Sequence, residues 1–393
     1  MRQPLFRQTM SNGSTGANLA GTTTPRVAVL QRIVPHYRIP LFRALTTSDR
    51  YHYSILCGES VAGSSLASTL SDPEIRYVRV ANHYFCDTET LVWQSGVVPL
   101  LWNRCFDVII AEFSLRIISN VVACLIARSL GVPFIWWGHG LSPSPFSVRL
   151  TLAFARMADA LLLYSYDMKK LFMQYGLDER KLFVALNSVD VRKISEVVFS
   201  LKQGGMVRYR ILYIGRLIPA KKVDLLVRAF ALAKKSLPTR VRLTVVGDGP
   251  CRDDLEALAG DLGIAEQVDF LGEIVDETVL AKVFAESWIS VSPGYVGLAA
   301  IHSLAYGVPM VVASGEPHSP EVSALEEGVT AVFFNGGDVN HLAGVLVELW
   351  HDSERRTALA RAGQTLVAQN YSIQAMVASF ESAIESVLKK RGE

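Results

Sequence analysis

The sequence predicts an α/β protein built from two Rossmann-like domains that face a central cleft. Short apolar, β-branched runs alternate with helix-length amphipathic segments, the pattern of parallel strands joined by crossover helices. The runs form two series separated by a stretch without a clear pattern. A chain of 393 residues is long enough for two domains, each burying its own core.

The first series comprises Arg26–Leu30, Tyr53–Cys57, Asp107–Ala111, Val132–Trp137 and Ala160–Tyr164. The second comprises Arg210–Gly215, Val241–Gly247, Val268–Leu271, Ile289–Ser292 and Val308–Ala313. Each is short and bounded by Gly, Pro or charged residues. This divides the chain into a first domain over 25–194, a linker over 195–208 containing Gly204-Gly205, and a second domain over 209–370. A last helix within 371–393 follows Ser372, a good N-cap. Residues 1–24 are rich in Ser, Thr, Gly and Asn and read as a disordered leader.

Composition excludes several classes. The most apolar stretch, Val108–Ala127, contains Glu112 and Arg116, which argues against a membrane span. Five cysteines, an odd number without metal-ligand spacing, suit a reduced cytoplasmic protein and argue against a disulfide scaffold or zinc site. Residues 1–200 carry 20 Lys/Arg and 14 Asp/Glu, net +6; residues 201–393 carry 19 and 23, net −4. A basic first half suits peripheral contact with an anionic membrane at the cell's inner face, with Trp93 and Trp102 as interfacial aromatics; scattered surface charge is the alternative. No nucleic-acid partner is expected.

Four motifs carry chemistry. In Tyr213-Ile214-Gly215-Arg216-Leu217-Ile218-Pro219-Ala220-Lys221-Lys222, a strand ends at Gly215 and a loop follows. Ligands of open sheets bind at the carboxyl ends of strands, where Arg216 and Lys221 can hold a diphosphate, unless this is a solvated basic loop. Val245-Val246-Gly247-Asp248-Gly249-Pro250 lacks the third glycine of a dinucleotide fingerprint. Its turn either brings backbone close to a base or ribose or simply reverses the chain. Ser292-Pro293-Gly294-Tyr295-Val296-Gly297 leads into an apolar helix from Leu298 that contains His302, and offers backbone amides to an anion. In Trp136-Trp137-Gly138-His139-Gly140, His139 sits between glycines at a strand's end.

Together these motifs resemble the retaining glycosyltransferases of family 4 over most of residues 26–390. Gly-Arg-Leu-x-x-x-Lys, Val-Gly-Asp-Gly-Pro, Phe270-Leu271-Gly272 and Ala305-Tyr306-Gly307-Val308-Pro309 stand in the family's order and spacing. Asn187-Ser188-Val189-Asp190 is similar to the family's Asn-Gly-Val-Asp turn, and Pro35-His36-Tyr37-Arg38-Ile39-Pro40 to its first loop. The resemblance implies a GT-B fold, a metal-independent site without cofactor, and a final helix crossing back to the first domain. It implies a nucleotide-diphosphate sugar as donor and a glycan or lipid-linked oligosaccharide as acceptor, in surface polysaccharide assembly. Arg216, Lys221 and His139 then form the catalytic set. Gly215, Gly247, Gly249, Gly294, Tyr295, Val296, Gly297, Leu298 and His302 face the donor, and His36, Tyr37 and Arg38 the acceptor. Lys222, at a place where the family often has glycine, is expected to point to solvent.

One departure stands out. The family usually places two glutamates eight positions apart, where this chain has Gly294 and His302. His302 can still bond a ribose hydroxyl, whereas Gly294 offers only backbone. The departure motivates one alternative, a non-catalytic glycosyltransferase-like partner. A nicotinamide-dependent oxidoreductase is a second, against which the incomplete glycine fingerprint argues.

Overall fold

The computed structural model describes residues 24–60, 70, 72–85, 91–139, 145–202 and 207–392. The expected leader lies, apart from Thr24, outside the described residues, as do Gly140 and linker residues 203–206.

The first domain is built on β1 (Arg26–Gln31), β2 (His52–Cys57), β3 (Tyr77–Arg79), β6 (Val108–Glu112), β7 (Phe134–Gly138), β8 (Ala160–Leu163) and β9 (Leu182–Val184), with a separate antiparallel hairpin of β4 (Ala81–Phe85) and β5 (Leu91–Ser95). The seven strands form one parallel sheet in the order β3-β2-β1-β6-β7-β8-β9. β7 and β8 are buried along their whole length, as expected of parallel strands covered by helices on both faces.

The second domain carries β10 (Arg210–Ile214), β11 (Arg242–Val246), β12 (Val268–Gly272), β13 (Ser287–Ser292), β14 (Met310–Ser314) and β15 (Ala331–Asn335). They pair in parallel in the order β12-β11-β10-β13-β14-β15. In each sheet the strand order reverses once, between β1 and β6 and between β10 and β13. Those reversals open crevices at the strands' carboxyl ends. β3 and β9, of three residues each, are too short to show a period in the sequence.

The stretch expected as a linker is partly helical, because Val191–Lys202 forms a helix. Leu186, Val189 and Ile194 are buried with Leu212 and Val246 in the second domain's core, so the chain has already crossed over before residue 194. The return crossing lies alongside, where the Val189 N–H donates to the Tyr371 carbonyl at 3.2 Å. The final helix, Ile373–Gly392, begins with the Ala375 N–H bonded to Ser372 Oγ at 3.2 Å. It packs Met376, Phe380, Ile384 and Val387 into the first domain's core. Phe380 is fully buried, its ring centroid 4.9 Å from that of Trp137. Among the described residues no helix is long and apolar enough to cross a membrane.

The helix is therefore a structural part of the first domain. Phe380→Ala should destabilise that domain by about 3–5 kcal/mol, the usual range for a buried aromatic truncated to alanine. Denaturant unfolding followed by tryptophan fluorescence checks this; an unchanged midpoint would mean that the helix only rests on the surface.

Candidate functional site

The loop after β10 is bolted to the loop after β11 by backbone. Gly215 turns at φ 153°, and its N–H donates to the Val246 carbonyl at 3.0 Å. A Cβ on Gly247 would lie 1.9 Å from the Gly215 oxygen, and one on Gly249 2.5 Å from the Leu217 oxygen. Both positions thus require glycine because backbone meets backbone there. Buried Leu217 anchors the loop from below, its N–H donating to the Asp248 carbonyl at 2.8 Å.

The same loop is fixed on its other side by the segment after β13. The Tyr295 N–H donates to the Ala220 carbonyl at 3.0 Å, and the Lys221 ammonium donates to the Tyr295 carbonyl at 2.8 Å. The ammonium also lies 4.8 Å from the centroid of the Tyr295 ring, a cation–π contact, and the ring's hydroxyl bonds Ser319 Oγ. Burial, together with the neighbouring Arg216 charge, pulls the Lys221 amine down to about 8, with Glu321 opposing. The two cations predicted from sequence therefore stand together where the second sheet's order reverses.

Two cavities meet at Arg216, which lines both. The first, of about 480 Å³, is bounded by Gly215, Gly247, Asp248, Glu273, Leu298 and His302. The His302 ring is desolvated, which holds its pKa down at about 4 against the opposing Glu277 charge. The neutral ring's Nδ1 has no hydrogen-bond partner among the described residues. The second cavity, of about 560 Å³, lies between the domains and is bounded by Glu112, His139, Tyr164, Asn187 and Glu321. His139 stands at its wall with its ring 4.7 Å from that of Tyr164. Desolvation lowers its pKa, again with Glu321 opposing.

Several expected residues sit differently from the sequence reading. Lys222 does not point freely to solvent: its ammonium pairs with Glu316 Oε1 at 2.5 Å, on a left-handed backbone (φ 50°). That backbone, which glycine adopts at least cost, gives the position its conformational demand. Of the amides at 294–298, that of Tyr295 is committed to Ala220 and that of Val296 to His318 Nδ1 at 3.2 Å. Among the described residues the Gly294, Gly297 and Leu298 amides remain as backbone donors, and of these three residues only Leu298 lines both cavities. His36 lines the first cavity and Tyr37 both. Arg38 lines the second but is held by Gln31 Oε1 (2.8 Å) and the Tyr164 hydroxyl (2.5 Å), its guanidinium 4.3 Å from the Trp137 ring centroid. Of the two tryptophans proposed for a membrane interface, Trp102 is 64% exposed and Trp93 is half-buried in the hairpin.

Sequence reasoning missed Glu321. It is 5% exposed, in the short 3₁₀ turn Pro320–Ala324. Oε1 accepts from Asn187 Nδ2 at 2.7 Å, while Oε2 has no partner among the described residues. A buried carboxylate oxygen without a donor points to a ligand hydroxyl or a water. Its only sequence signal was a Pro-Glu pair after a Gly/Pro/Ser-rich loop. Gly294 is explained by the same packing: a Cβ there would lie 2.5 Å from the Ala220 oxygen and 2.9 Å from Lys221 backbone.

Comparison with known proteins agrees with this geometry. Residues 205–366 match the family model described as Glycosyl transferases group 1. The chain is 31% identical over 167 residues to the GDP-mannose-dependent alpha-(1-6)-phosphatidylinositol monomannoside mannosyltransferase of Mycolicibacterium smegmatis, covering 40% of this chain and 43% of the relative. It is 30% identical over 285 residues to the D-inositol 3-phosphate glycosyltransferase of Stackebrandtia nassauensis, covering 65% and 62%. The matches thus span about half the length of these curated relatives. Among solved structures, Anabaena Alr3699/HepE in complex with UDP superposes with a TM-score of 0.70 at 19% identity, over 92% of this chain and 100% of that one. Sucrose-phosphate synthase from Thermosynechococcus elongatus gives 0.67 at 16%, over 93% and 100%. The fold is GT-B, and residues 205–366 are similar to the group 1 glycosyl transferases.

Restoring the family's usual residue should fail here. Gly294→Glu forces the 219–222 loop away from Tyr295, and overpacking of this kind typically costs about 1–3 kcal/mol. The expected result is a lowered thermal midpoint together with weakened binding of nucleoside diphosphate. A variant that keeps both would show that the loop yields without consequence.

Proposed function

We propose that this chain is a retaining glycosyltransferase that moves a sugar from a nucleoside-diphosphate donor to a glycan or lipid-linked oligosaccharide, without a metal ion. The observation that carries the reading is the placement of Arg216 at the junction of two cavities, with Lys221 fixed beside it. The names of its relatives support it: one is GDP-mannose-dependent, and one structural neighbour is in complex with UDP.

The nucleoside fills the first cavity, with His302 Nδ1 toward a ribose hydroxyl. The diphosphate crosses Arg216 and Lys221, and the sugar enters the second cavity between His139 and Glu321. As the bond from the anomeric carbon to phosphate oxygen breaks, negative charge builds on the leaving diphosphate. The two fixed cations stabilise that charge without reorganising. The acceptor oxygen attacks from the same face and passes its proton to the leaving phosphate oxygen. Glu321 Oε2 accepts from a sugar hydroxyl, supplying from another segment the carboxylate that position 294 cannot carry. The phosphatidylinositol-linked acceptor named for one relative favours an acceptor of the lipid-linked class and a role at the inner membrane face in surface polysaccharide assembly.

Arg216→Ala and Lys221→Ala should each lower the transfer rate by about 10²–10³, the range for one lost electrostatic donor. Initial rates measured in excess chelator test this and the metal-free reading together; full loss of wild-type transfer in chelator, restored by a divalent ion, overturns the latter. Lys222→Gly keeps the left-handed turn and should change the rate only slightly. The pH dependence follows from the Lys221 amine at about 8. Below that pH the ammonium is charged and binds diphosphate, and above it affinity falls. Lys221→Arg should bind with little pH dependence between 7 and 9; an alkaline loss retained in that variant would assign the titration to another group.

A further inference from the structure

The second domain has another cavity at the opposite end of its sheet. Arg208 precedes β10, Arg240 precedes β11, and Gly307 precedes β14, so the cavity lies at the amino ends of strands whose carboxyl ends form the cleft. It measures about 520 Å³. Four arginines line it, Arg208, Arg240, Arg356 and Arg361, and among the described residues no carboxylate does. Among the described residues only Tyr306 is shared with the cavities of the cleft.

These guanidinium groups are unlike others in the domain. Arg210, Arg242, Arg252 and Arg355 each sit within 4.0 Å of a carboxylate. Among the described residues, none of the four around the cavity is in an ion pair. Arg208 and Arg356 are partly buried, each using Nη1 on backbone carbonyls, of Gly307 for one and of Leu349 and Trp350 for the other. Arg356 also lies 5.4 Å from the centroid of the Trp288 ring, and Arg240 lies 5.9 Å from that of Trp350. Trp288 is 2% exposed and its indole N–H has no acceptor among the described residues. Arg208 and Arg356 are partly desolvated like charges that repel each other, offset at Arg356 by Asp352, and arginine forks match phosphate oxygens in particular.

We infer that this cavity is a binding site for a phosphate-bearing ligand, separate from the cleft. The arginine rim takes the phosphate, and the Trp288 and Trp350 indoles floor the pocket beneath the rest of the ligand. The source of the phosphate is either a soluble phosphoester or the headgroup of an anionic lipid.

Calorimetric titration of the full chain with inorganic pyrophosphate tests the site. Arg216→Ala/Lys221→Ala serves as the background in which the cleft's own diphosphate site is removed. Binding should persist there and weaken at least tenfold when Arg240→Gln/Arg361→Gln is added. Those two side chains are exposed, so folding, checked by circular dichroism, should be retained. Co-sedimentation with phosphatidylglycerol vesicles separates the sources. Vesicle binding lost in Arg240→Gln/Arg361→Gln assigns a lipid headgroup, and pyrophosphate binding without vesicle binding assigns a soluble ligand. If neither pyrophosphate nor vesicle binding differs between the arginine variants and their parent, the site does not exist.

Discussion

The arrangement depends on the contact between the loop after β10 and the loop after β13. Parallel strands that reverse order leave a crevice at their carboxyl ends, and here its two lips are pinned to each other. The Tyr295 amide reaches the Ala220 carbonyl and the Lys221 ammonium reaches the Tyr295 carbonyl. Gly294 permits the approach because no side chain fits between it and Ala220. Glycines at 247 and 249 do the same for the next loop. The Lys221 ammonium is therefore held by backbone, which is what electrostatic preorganisation requires.

That placement works against stability. The Lys221 amine is lowered to about 8 in the folded chain, against 10.5 ordinarily. Between those values the unfolded chain binds more protons, so stability rises with pH across that window. Keeping the ammonium charged at neutral pH therefore opposes folding, while an arriving diphosphate would supply the missing counter-charge. Among the described residues Glu321 Oε2 and His302 Nδ1 are likewise buried polar atoms without a hydrogen-bond partner. Such groups are expected where function overrides local optimisation.

Much of the fold was legible in the sequence because parallel strands buried on both faces read as continuous apolar runs. The domain crossing was misplaced because Val191–Lys202 is amphipathic and packs on the second domain, a preference visible only in three dimensions. At the candidate site, the placement of Arg216 and Lys221 after the carboxyl end of β10 was legible from motif spacing. Glu321 was not, since its burial depends on Asn187, 134 positions away. Lys222 misled because its charge suggested solvent, whereas its backbone conformation and Glu316 determine its place.

The central claim is that the diphosphate is recognised at Arg216 and Lys221. It is tested most directly by calorimetric affinity for a nucleoside diphosphate and for the same nucleoside without phosphate. The account predicts that the diphosphate's advantage over the nucleoside collapses in Arg216→Ala and in Lys221→Ala, while nucleoside binding is unchanged. An advantage that survives in both variants would place the diphosphate elsewhere and contradict the account.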